Sequence, residues 1–117
     1  MDSRVQKALF LIQEHYGDKL TLQVLSEEVH LTKEHFCRLF KAETGSSPLK
    51  YLKSWRLQKG KDLIENSVMS VKEIMYKVGV NDESHFVRDF KLTYGLSPMQ
   101  LRLSKESDST SSNINIG

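Results

Sequence analysis

Two arginines, Arg38 and Arg88, stand fifty residues apart, and each is followed three residues later by a lysine, Lys41 or Lys91. A guanidinium presents its N–H donors as a rigid fork, so it can donate two hydrogen bonds to neighbouring acceptors on one planar edge. Guanine O6 and N7, facing a DNA major groove, are such a pair. An ammonium one helical turn further on is a point charge, suited to a phosphate, where it fixes position rather than sequence. Lys33, Glu34 and Cys37 surround the first arginine; Glu83, Ser84 and Val87 surround the second. Glu34 can accept from a cytosine N4 or repel the phosphate backbone and enforce register. The candidate nucleic-acid contacts are therefore Lys33, Glu34, Cys37, Arg38 and Lys41 in one place, and Glu83, Ser84, Val87, Arg88 and Lys91 in the other.

An arginine on an exposed helix is usually just solvated. What lifts these two above that background is a repeat. The stretch HFCRLFKAETGSSP, His35 to Pro48, returns as HFVRDFKLTYGLSP, His85 to Pro98, with eight of fourteen positions identical and no gap. The two copies must be one structural unit used twice, and fifty residues with only two copies is long for a solenoid. Upstream of the first copy, Thr21 caps a short helix striped by Leu22, Leu25 and Val29; His30 and Leu31 break it, and Thr32 caps the next helix. Upstream of the second, Ser70 is the cap, Val71, Ile74 and Val78 the stripe, Gly79 the turn, and Asn81 or Asp82 the next cap. Each unit reads helix, short turn, helix, the second turn one residue longer. That is the helix-turn-helix pattern, in which the second helix lies in the major groove. At about 100° per residue, Phe36, Leu39 and Phe40 gather on one side, with Glu34, Arg38 and Lys41 opposite and Lys33 and Cys37 on the flanks. Phe86 and Phe90 likewise point inward, while Ser84, Arg88 and Lys91 point out and Val87 flanks them.

A proline-free stretch from Leu49 to Glu65 joins the units, with Pro48 at its first turn and Leu49, Leu52, Gly60 and Leu63 on one stripe. About seventeen helical residues span roughly 26 Å, enough to set two groove helices about one DNA turn, roughly 34 Å, apart. Arg56 falls on the buried stripe, so its stem should pack while its guanidinium bonds backbone carbonyls or a carboxylate. Gly60 weakens a helix by about 1 kcal/mol relative to alanine, which makes sense where another helix passes close. An N-terminal helix from Arg4 to Tyr16 completes the first core. The expected organisation is a first subdomain at 4–46, a bridging helix at 48–66, a second subdomain at 68–103 and a frayed, serine-rich tail at 104–117.

Composition narrows the rest. With 117 residues, 38% hydrophobic and 27% charged, the chain can fold one compact unit or two small subdomains but no large catalyst. Net charge is only +2, yet residues 33–61 carry +6 between flanks of −2 each, so one face should meet a polyanion. The single cysteine, Cys37, forms no internal disulfide, and no apolar run exceeds five residues, so a cytoplasmic protein without a membrane span is expected. There is no phosphate-cradling glycine loop and no His-x-x-x-His. His35 and Cys37 point in different directions on a helix, so neither a metal, a cofactor nor a catalytic role is expected.

Taken together, LSEEVHLTKEHFCRLFKAETGSSPLKYL, WRLQKGKDLIENS and SVKEIMYKVGVNDESHFVRDFKLTYGLSP resemble the DNA-binding domain of AraC/XylS-type transcription regulators over roughly residues 4–103. The resemblance implies an all-α fold of about seven helices, two helix-turn-helix units joined by a long bridging helix, and double-stranded DNA held by Lys33 to Lys41 in one groove and Glu83 to Lys91 in the next. It also implies an activator that touches RNA polymerase, monomeric on DNA, as the C-terminal part of a longer regulator. The alternatives are a stand-alone small activator and a helical protein-interaction module that has lost DNA binding. Ser26, Met75, His30 and Gly60 depart from the family's pattern, which implies looser packing there, and acidic Asp82, Glu83 and Asp89 imply that the second unit binds more weakly than the first.

Overall fold

The computed structural model describes residues 1–106, and these form seven helices and no strand. They are α1 (Ser3–His15), α2 (Leu22–Glu28), α3 (Lys33–Thr44), α4 (Pro48–Asn66), α5 (Val71–Lys77), α6 (Glu83–Tyr94) and α7 at 98–106. The chain divides into two compact units, Met1–Arg56 and one that starts at Leu57, so that α4 runs unbroken through the division. Among the described residues no helix is long and apolar enough to cross a membrane.

The first unit forms because short amphipathic helices, marginal alone, bury their stripes together. Val5, Ala8 and Ile12 of α1, Leu25 and Val29 at α2, Phe36 and Phe40 of α3 and Leu52 of α4 make one cluster. Phe36 meets Phe40 edge to face at 5.7 Å, Phe40 meets Tyr51 at 5.8 Å, and Tyr51 stacks on Trp55 at 6.3 Å. Truncating either phenylalanine to alanine would cost about 3–5 kcal/mol, transfer and cavity terms together. Arg56 does what a half-buried cation must: Nε donates to the Tyr16 carbonyl at 2.7 Å and Nη2 to that of Asp18 at 2.9 Å. It thereby ties α4 to the carbonyl of Tyr16, the C-cap of α1, and to the turn that follows.

The second unit repeats this plan with Ile64, Ile74, Met75, Val78, Phe86 and Phe90 buried. Phe90 packs on Tyr94 at 4.8 Å and Phe86 on Phe90 at 5.9 Å. A Cβ on Gly60 would lie 3.2 Å from Phe86 Cζ, so the absent side chain is what lets α6 approach α4. Arg102 of α7 donates to the carbonyls of Leu63, Ile64, Ser67 and Met69, closing the C-terminal end of α4.

Three expectations need correction. Leu49 does not share the buried stripe of α4 but is 47% exposed, because the first turn of that helix turns Pro48 and Leu52, four residues apart on one face, into the core and Leu49 to the side. The tail does not start at 104: residues 104–106 continue α7, and Lys105 pairs with Glu65 at 3.3 Å. Residues 107–117, the rest of the expected tail, lie outside the described residues. Packing is not loose at Ser26, Met75 or Gly60, the first two being only 2% and 1% exposed. Ser26 satisfies its hydroxyl by donating to the Gln23 carbonyl at 3.1 Å.

Candidate nucleic-acid interface

In each unit a tight turn between two helices sets the angle of the outer one. After α2, His30 N–H donates to Glu27 O at 3.1 Å and Leu31 N–H to Ser26 O at 3.0 Å. After α5, Gly79 N–H donates to Tyr76 O at 3.1 Å and Val80 N–H to Met75 O at 3.0 Å. This helix-ending arrangement needs a residue in the left-handed region. Gly79 supplies it at φ +90°, as does His30 at φ +59°, the one non-glycine residue with positive φ among those described.

The next helix then starts on a side-chain cap. Thr32 Oγ1 accepts from His35 N–H at 3.2 Å to begin α3. Asp82 Oδ1 accepts from His85 N–H at 3.0 Å to begin α6, and that bond is the main reason the Asp82 carboxyl is held below the usual carboxylate range. Gly45 and Gly95 close the two helices in left-handed conformations.

With Phe36 and Phe40 inward, α3 turns Lys33, Glu34, Arg38 and Lys41 to solvent and leaves Cys37 half-buried at the margin. Among the described residues Arg38 makes no hydrogen bond or ion pair, so its fork is free for an external acceptor. With Phe86 and Phe90 inward, α6 exposes Glu83, Ser84, Arg88 and Lys91, and Val87 takes the marginal place of Cys37. His35 and His85 are exposed near the start of each helix, and His85 Nδ1 lies 3.6 Å from Asp82 Oδ2.

The electrostatics differ between the copies. Helix α3 carries three lysines and arginines against two carboxylates, and α6 carries two against two. By sequence Asp89 is one of several acidic residues around α6; its geometry is visible only in the fold, where Oδ1 lies 3.7 Å from Arg88 Nε. Position 39, its counterpart in the first copy, is a leucine, so the substitution within the repeat was the available signal. No group of three His, Cys, Asp or Glu side chains among the described residues could hold a metal ion.

Residues 25–104 match the family model described as a helix-turn-helix domain. The chain is 30% identical to the HTH-type transcriptional activator RhaS of Escherichia coli over 104 residues, which is 89% of this chain and 37% of that protein. It is also 30% identical to the HTH-type transcriptional regulator YdeC of Bacillus subtilis over 99 residues, 85% of this chain and 34% of that one. It thus spans about a third of the length of these curated relatives. Among solved structures, the C-terminal domain of the response regulator yesN from Fusobacterium nucleatum superposes with a TM-score of 0.81 at 31% identity, covering 86% of this chain and 99% of that one. The DNA-binding domain of AdpA, solved with a target DNA, has the same fold, with a TM-score of 0.85 at 24% identity over 90% and 95% of the two chains. With the repeated turn, the paired phenylalanines and the match over most of its length, the chain belongs to the helix-turn-helix domain family of AraC-type transcription regulators.

Proposed function

We propose that this chain binds double-stranded DNA in a sequence-dependent way and regulates transcription, with α3 and α6 each entering a major groove, the two grooves successive along the duplex. The observation that carries the reading is the repeated pair of an exposed arginine and an exposed lysine opposite a buried phenylalanine pair, at Arg38 and Lys41 and again at Arg88 and Lys91. A helix that anchors one face in a core and offers a guanidinium fork on the other has the dimensions and donors for base-edge readout. Lys41 and Lys91 are assigned to phosphates; Arg38 and Arg88 to base edges. Glu34, Glu83 and Ser84 set register, and Cys37 and Val87 give apolar margin contact. In this reading 4–46 and 68–103 act as the two reading subdomains with 48–66 between them. No catalytic step, cofactor or metal takes part. The AdpA domain, solved with a target DNA, supports the choice of duplex as partner. Contact with RNA polymerase, one chain per site and a cytoplasmic setting belong to the same proposal.

Selection of binding sites from random duplex tests it. The expected result is two short boxes about 10 base pairs apart, centre to centre, unequal because the two helices differ. Arg38→Ala should weaken binding by about 1–3 kcal/mol and relax one box alone. Uniform loss across all sequences would reassign Arg38 to a phosphate. Binding to random duplex that fails to fall steeply with salt would favour the protein-interaction module instead.

A further inference from the structure

The two copies of the repeat act as each other's control, and they differ where it matters for an arginine that reads a base. Arg88 is followed by Asp89, whose side chain is only 17% exposed, and the Asp89 Oδ1 lies 3.7 Å from Arg88 Nε. Arg38 is followed by Leu39, which packs against the first core, and Arg38 has no ion pair among the described residues. A guanidinium has two usable edges. If a carboxylate holds the Nε side, the two terminal nitrogens that meet guanine O6 and N7 remain outward, in one orientation rather than many.

We infer that Asp89 is a positioning residue for Arg88, setting the base selectivity of the second helix at the expense of its affinity; this rests on the reading of Arg88 as a base contact. The carboxylate does two things at once. It restricts the rotamers of a side chain that is 62% exposed, an effect that strengthens when a duplex excludes water from the pair. It also sets a negative charge among the phosphates, which weakens binding to every sequence alike. The first helix, with its untethered Arg38, supplies affinity with broader tolerance. The duplication has thus diverged into a grip and a reader.

The experiment compares wild type, Asp89→Leu, which installs the residue of the first copy, Arg88→Ala and the double variant, in site selection and in competition against duplexes changed at single guanines. Thermal unfolding checks each fold, and Asp89→Asn, closer in shape, replaces the leucine variant if that one is unstable. Expected for Asp89→Leu are tighter binding to random duplex and a preference for guanine at the second box reduced about fivefold, the first box unchanged. Arg88→Ala and the double variant should show the same base preference, since Asp89 acts through Arg88. If Asp89→Leu tightens binding to all sequences equally with guanine preference intact, Asp89 only repels phosphates and the inference is overturned. If wild type selects no guanine at the second box, or Arg88→Ala leaves selection unchanged, Arg88 is not a base reader; the underlying assignment fails and the inference with it.

Discussion

His30→Gly should stabilise the protein, and the two turns allow its size to be worked out. Both turns carry the same pair of hydrogen bonds, yet one places an imidazole-bearing residue at φ +59° where the other has Gly79 at φ +90°. A side chain in the left-handed region costs about 1–2 kcal/mol, and histidine lies toward the lower end because it tolerates that region better than most residues. Glycine gives back part of the gain, about 0.5 kcal/mol or slightly more, because it frees the unfolded chain. His30 is exposed, so no burial is lost. The net expectation is about 0.5–1 kcal/mol of added stability, or a rise of roughly 2–6 °C in Tm for a domain of this size. Urea unfolding should show a higher midpoint at unchanged slope. The reciprocal Gly79→Ala should cost about 1–2 kcal/mol, since it adds the penalty where none now exists. A midpoint for His30→Gly equal to or below that of wild type would refute the strain assignment, and would mean that the imidazole makes a stabilising contact larger than the backbone cost.

Other expectations follow from packing, charge and pH. Gly60→Val should destabilise by about 2 kcal/mol in thermal unfolding, because even one added carbon sits 3.2 Å from the ring of buried Phe86; a gain in stability, as at an open helix position, would contradict that close approach. Lys41→Ala should weaken DNA binding equally across sequences and lower the slope of log K against log salt by about 1, whereas a change at one box only would make Lys41 a base reader. The Arg4 side chain and backbone hold the Asp2 carboxyl down at about 2, well below its free value, so Asp2 contributes stability that is present above about pH 4 and lost as pH falls toward 2. The difference in urea midpoint between wild type and Asp2→Asn should therefore shrink across that interval, and a constant difference would show that charge plays no part.

The elements were legible in the sequence because their causes are local. Thr21, Thr32, Ser70 and Asp82 cap the helices they precede, each through its own side-chain oxygen, and Gly45 and Gly95 end α3 and α6 in the left-handed region. The three-and-four spacing of apolar residues placed Leu25, Phe36, Phe40, Ile74, Phe86 and Phe90 inside. The outward face of α3 and α6 followed from the same periodicity. The fate of Arg56 was half legible: burial demanded partners, but only the path of the chain after α1 offers the carbonyls of Tyr16 and Asp18.

The sequence alone determined a twice-used helix-turn-helix unit with an arginine and a lysine on its free face, because caps, turns and helical periodicity are written within about ten neighbouring residues. Distances between groups that periodicity does not relate were settled by the assembled fold. Leu49 faces solvent although it falls on an apolar stripe, Arg102 reaches back to four carbonyls around the end of α4, and α7 extends through 106 where composition suggested fraying. The 3.7 Å approach of Asp89 Oδ1 to Arg88 Nε and the left-handed backbone at His30 belong to the same class. Side-chain reach and backbone angle are set by the assembled core, and no spacing along the chain encodes them.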